Sequence, residues 1–123
     1  MLMKNSEIYN TAIKIAEAFR DENMYLPMRL NFYLQKNKKV LMDLSKDIEE
    51  SRLKIIEEYG ILNEDGMTFN IPEDKVAEAS KELADLFDLE QEVNIYTISA
   101  DIIPNDIKLT TSQMEAMLFM IEE

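Results

Sequence analysis

Residues 26–60 read LPMRLNFYLQKNKKVLMDLSKDIEESRLKIIEEYG, with one proline at the head, one glycine at the tail and no breaker between. Such a run predicts a single long helix over about 26–60, and at ~1.5 Å rise per residue it reaches about 50 Å. A compact chain of 123 residues has a radius of gyration near ~14 Å, a body only ~35 Å across. The helix is longer than the body that must cover it, so part of its apolar surface calls for a second helix, a second subunit or a partner. That points toward association rather than catalysis.

Within this run Leu34, Leu41, Ile48 and Ile55 fall seven apart, and Leu30, Asn37, Leu44 and Ser51 fill the companion positions. Heptad spacing argues for helix–helix packing, and a buried Asn in such a seam fixes register or oligomer state at a cost in stability. The candidate packing and interface seam is therefore Leu30, Leu34, Asn37, Leu41, Leu44, Ile48 and Ile55. Two covers compete for it: the rest of the same chain, with Asn37 at a wet edge, or a second copy or other protein. Phe32, Tyr33, Val40, Leu53, Ile56 and Tyr59 widen the apolar stripe, which favours burial in a globular domain over a free coiled coil.

Outward from the long helix, Ile8, Ala12, Ile15 and Phe19 make one stripe of a helix over 6–20, capped by Asn5 or Ser6. Asp21-Glu22-Asn23 breaks it, and Pro27 suits the first turn of the next helix. After Gly60, Ile61-Leu62 and 67–71 flank Asn63-Glu64-Asp65-Gly66, an Asp-Gly hairpin signal over 61–71. A helix over about 72–88 carries Val76, Ala79, Leu83, Leu86 and Phe87 on its buried face. Alternation over 92–98 predicts a third strand beside the hairpin. Thr110 and Gln113 form a capping box for a helix over about 111–122, with Met114, Met117, Leu118 and Ile121 inward. The expected architecture is α+β in a single domain, residues 1–123: a helical hairpin with one long helix, a small antiparallel sheet and two further helices.

Composition narrows the function. The chain has no His and no Cys, so the commonest general base, thiol nucleophile and transition-metal ligands are missing, and no Ser-His-Asp triad can form. Asn63-Glu64-Asp65-Gly66 fails as a calcium loop because Ile61 stands where an oxygen ligand is needed. Two widely separated glycines leave no phosphate-binding loop. The expectation is a non-enzymatic protein with no cofactor, no metal and no small-molecule substrate. Neither a membrane span nor a signal peptide is evident, and the absence of cysteine fits a cytoplasmic setting.

The net charge of −12 is unevenly placed: residues 1–60 carry 10 Lys+Arg against 10 Asp+Glu, whereas residues 61–123 carry 3 against 15. That acidic half disfavours direct nucleic-acid binding. It is either a solvating surface or a face that imitates a phosphate backbone. Arg29, Lys36, Lys38 and Lys39 are the only basic concentration. Salt bridges to the acidic half, within the chain or across a dimer, are the simplest reading of it, with phosphate contact beside Tyr33 as the alternative. The methionines near 114–120 are read as core, with adaptable binding as the alternative.

Three blocks resemble an uncharacterised family of small phage and prophage proteins from Gram-positive bacteria. They are Lys4-Asn5-Ser6-Glu7-Ile8-Tyr9-Asn10-Thr11-Ala12; Leu26-Pro27 through Asn31-Phe32-Tyr33-Leu34-Gln35-Lys36-Asn37 to Glu58-Tyr59-Gly60; and Leu109 with Gln113-Met114 and Leu118-Phe119-Met120-Ile121. Met28-Arg29 departs from that pattern. The resemblance implies a phage or prophage accessory protein of the host cytoplasm or the virion, and it transfers no catalytic or ligand residue. The expected function is protein–protein interaction in virion assembly or host modulation, with itself or another protein as partner. The alternative is an acidic nucleic-acid-mimicking inhibitor of a host nuclease or polymerase.

Overall fold

The computed structural model describes residues 1–21 and 24–122. The expected break at Asp21-Glu22-Asn23 lies partly outside these residues. A short strand β1 (Leu2–Lys4) leads into helix α1 (Asn5–Ala18), followed by the long helix α2 (Met28–Tyr59). A hairpin of β2 (Ile61–Leu62) and β3 (Phe69–Asn70) precedes one tight turn and α3 (Val76–Asp88). Then come β4 (Glu90–Glu92), β5 (Ile98–Ser99), α4 (Thr111–Met117) and β6 (Ile121–Glu122). The fold is α+β, with α2 as its spine at about 48 Å for its 32 residues.

The core forms where α1, α4 and the chain around 93–98 close over the first half of α2. Ile8, Ala12 and Ile15 of α1 meet Leu30, Leu34, Leu41 and Ile48 of α2, joined by Val93, Ile98, Met117 and Met120. Met117 and Met120 are fully buried, so the C-terminal methionines are core. Val76 and Leu118, expected inside, face solvent.

The sheet departs from expectation. The 61–71 hairpin forms, but its strands are only two residues each and the 92–98 segment does not join it. Instead β4 pairs antiparallel with β1 (Leu2 opposite Glu92), and β5 pairs parallel with β6 (Ile98 opposite Ile121). The reason is distance along α2. The hairpin follows Tyr59, while Tyr96 binds at Asn37, and the 22 residue steps from Asn37 to Tyr59 span about 33 Å of helix. The last helix also ends early, because residues 118–120 tighten into a 3-10 turn and Ile121–Glu122 leave as a strand.

With so little sheet, three buried carboxamides tie the elements together, and these are the buried polar side chains of the described residues. Asn5 is inside α1 rather than capping it. Its Nδ2 donates to the Leu86 carbonyl at 2.8 Å, and its Oδ1 accepts from Gln91 Nε2 at 2.7 Å. Gln113 closes the expected capping box with Thr110 and donates through Nε2 to the Ala18 carbonyl at 3.1 Å. That carbonyl lies in the last turn of α1, where the helix supplies no partner of its own. The third carboxamide, Asn37, lies in the seam.

Candidate interaction surfaces

Leu30, Leu34, Asn37 and Leu41 have no accessible surface and Ile48 almost none, all within one chain. Leu44, Ser51 and Ile55 are half-buried. Asn37 is not at a wet edge. Its Oδ1 accepts the Tyr96 N–H at 2.8 Å, and its Nδ2 donates to the Tyr96 carbonyl at 2.9 Å, with the Met120 sulfur at 3.5 Å. The side-chain amide thus pairs with one residue's backbone as a neighbouring strand would. Both backbone polar groups of Tyr96 are satisfied by a carboxamide that is itself fully buried, where an unmade hydrogen bond is costly.

A different surface opens on the opposite side of α2. The extended chain at Leu26-Pro27 turns into the helix at Met28, and the Asn31 N–H bonds to the Pro27 carbonyl at 2.9 Å. At 100° per residue, Met28, Phe32, Lys36 and Lys39 fall within about 80° of one another and, for Met28 and Phe32, roughly 150° or more from the seam. Tyr25, Met28 and Phe32 are 83%, 81% and 55% exposed. Phe32 was expected to widen the buried stripe; its angular position, legible in the sequence, places it outside. Lys36 Nζ stands 5.4 Å from the Phe32 ring centroid, and Phe32 meets Tyr33 edge-on at 5.7 Å. A shallow depression of about 420 Å³ runs over Met28, Phe32, Lys36 and Lys39. Cations and apolar groups interleave here. Residues 24–42 hold four cations and no acid.

The expected intrachain salt bridges from these cations to the acidic half do not form among the described residues. Lys39 pairs only with Asp43, one turn along, at 3.7 Å. The remaining ion pairs join Met1 to Glu92, Lys4 to Asp88 and Arg52 to Glu49.

The far end of α2 is the electrostatic opposite. Residues 57–78 carry seven acids and one lysine, and every one of those acids is exposed. Tyr59 donates to Glu82 Oε1 at 3.0 Å. That bond, then desolvation, then the charges of Glu82, Glu58 and Glu78 hold its phenol above the ordinary range. Apolar surface lies here too: Ile61, Leu62 and Met67 of the hairpin point to solvent. On α3 and the turn before it, Asp74, Glu78, Asp85 and Asp88 follow one row, interrupted by Lys81.

Among the described residues no group of three or more acidic side chains is arranged to hold a metal ion, and no helix is long and apolar enough to cross a membrane. No family model, curated protein or solved structure matches the chain.

Proposed function

We propose that the chain is a non-enzymatic protein–protein interaction module whose contact surface is the exposed side of α2 around Phe32. The observation that carries this reading is the pair Met28 and Phe32, held out to solvent in one depression beside Lys36 and Lys39, cations that among the described residues have no salt bridge to the C-terminal half. Exposed apolar side chains grouped at one place mark interaction sites, whereas scattered single ones do not. The resemblance in residues 4–12, 26–60 and 109–121 supports a phage or prophage accessory role, in virion assembly or host modulation.

The test is a photo-crosslinking amino acid placed at Phe32 in cells, with exposed Glu50 as control position. A discrete adduct to a second polypeptide from position 32, and none from position 50, supports the surface. Absence of any adduct from position 32 overturns it. The second reading, an acidic mimic of nucleic acid, is supported by the row Asp74, Glu78, Asp85 and Asp88, whose steps of four, seven and three residues correspond to about 6, 10 and 4.5 Å of helix, with Lys81 in the widest gap. Inhibition of a host nuclease or polymerase that is lost in Glu78→Lys with Asp85→Lys would favour that reading over the first.

A further inference from the structure

We infer that the occupant of the Phe32 surface is the acidic end of a second copy of this chain, so that copies associate end to end. This rests on the interaction reading above and names its partner. Each end of α2 carries exposed apolar side chains, and the two ends carry opposite charge. The basic end offers Tyr25, Met28 and Phe32 among cations with no acid over residues 24–42. The acidic end offers Ile61, Leu62 and Met67, and the exposed acids over 57–78 outnumber the cations there by seven to one.

No salt bridge among the described residues joins the two ends, and of the basic-end cations only Lys39 pairs within the chain, with Asp43 at 3.7 Å. Lys36, Lys38 and Lys39 precede Glu57 by 18 to 21 residues, roughly 27–32 Å of helix, which is too far for an ion pair. Pairing two basic ends about a two-fold axis would set Arg29, Lys36 and Lys38 against their own copies, with Asp21, Asp43 and Asp106 as the acids nearby, and pairing two acidic ends would set seven acids and one lysine against the same. A basic end against an acidic end removes both repulsions and covers both apolar patches in one contact. Such a contact is heterologous, so it continues into a ring or an open fibre.

The experiment uses two full-length variants with polar, uncharged replacements at exposed positions: Met28→Ser with Phe32→Ser at the basic end, and Leu62→Ser with Met67→Ser at the acidic end. Circular dichroism confirms that each retains its helix content. Light scattering of the parent chain is expected to give a mass that rises with concentration above the 14.4 kDa protomer and falls back as salt is raised from about 0.05 M to about 0.5 M. Each variant alone is expected to remain near the protomer mass. Their equimolar mixture should reach twice the 14.4 kDa mass and stop, because each supplies the one end the other lacks. A parent chain that stays at protomer mass at every concentration overturns the inference. So does a basic-end variant that is monomeric beside an acidic-end variant that still self-associates, the pattern of a two-fold dimer. In either case the crosslink at Phe32 still decides separately whether the surface takes a different protein.

Discussion

The two halves of α2 are built from one heptad pattern and end in different environments. From Leu30 to Ile48 the seam is enclosed by α1, α4 and the chain around Val93–Ile98, with Leu44 alone half-buried but packed on the core, whereas Ser51 and Ile55 farther along are half-buried outside that cluster. Helix α3 packs on α2, with Glu82 accepting from Tyr59 near the end of the long helix, and of its thirteen residues only Ala79 is buried. The difference teaches that a heptad repeat specifies a stripe, while the amount of chain available to lie across the stripe decides what it contributes. A single modest core covers about the width of a small body, and a helix of 32 residues outruns it.

The comparison breaks most easily at matched seam positions. Leu41→Asp places a carboxylate where no water reaches and should abolish the cooperative fold, because an unpaired buried charge costs more than a small domain's whole stability margin. Ile55→Asp, at a half-buried site, should cost about 1–2 kcal/mol and leave a folded protein. Thermal melts followed by far-ultraviolet circular dichroism check both. Equal losses at the two positions would mean that the second half of α2 is as tightly held as the first.

A smaller effect, more specific in its chemistry, is expected at Asn37. Asn37→Leu keeps an apolar side chain in the seam but strands the N–H and carbonyl of Tyr96, at about 2–4 kcal/mol for the two groups. Asn37→Asp differs in being pH-dependent. A carboxylate there can accept from the Tyr96 N–H but sets a negative charge against the Tyr96 carbonyl in a dry site, so its folded pKa lies above its unfolded value near 4. The penalty is then full above the folded pKa and fades as pH falls through it, when the protonated acid can again donate. Denaturant midpoints should therefore rise from pH 7 toward pH 5 in Asn37→Asp relative to the parent chain. A flat difference between those values would show that the carboxamide pairing with Tyr96 does not govern the site.

Much of this was legible in the residues, for identifiable reasons. The long helix follows from Pro27 at its head, Gly60 at its tail and nothing between to stop it. The capping box at Thr110 and Gln113 is a local signal read at a fixed spacing, and it forms as expected. Asn37 stands out as polar in an apolar seam, yet its partner lies 59 residues away and no local rule reaches that far. For the same reason the alternation over 92–98 does not reveal that its neighbours are β1 and β6 rather than the hairpin. Its alternation marks an extended chain, but an Asn side chain satisfies Tyr96 where a strand was expected. The Phe32 surface was within reach of angular arithmetic along the helix. Counting Phe32 merely as one more apolar residue loses its phase, and phase is what separates an anchor from a docking patch.

The smallest expected effect concerns the hairpin that forms the acidic end. Its loop is wider than a two-residue Asp-Gly turn: six residues separate Leu62 from Phe69, and the Asp65 carboxylate organises them. Oδ1 accepts the N–H groups of Met67 at 2.9 Å and Thr68 at 3.0 Å, and Oδ2 accepts the Thr68 hydroxyl at 2.8 Å. Gly66 takes a φ of +70° to let the chain reverse. The backbone bond from Met67, then those from Thr68, hold the Asp65 pKa below the ordinary carboxylate value. A depressed folded pKa means that this ordering is present above the unfolded pKa and is lost as pH falls through the folded one. Asp65→Ala should accordingly speed hydrogen exchange at the Asn63 and Thr68 amides and leave the global melting temperature nearly unchanged, since Ile61, Leu62 and Met67 are exposed. Acidification of the parent chain should produce the same local loosening. A large fall in melting temperature would instead make the hairpin part of the cooperative core and erase the contrast between the two halves of α2. If exchange quickens only locally, the hairpin is an appendage whose order serves the surface that presents Met67.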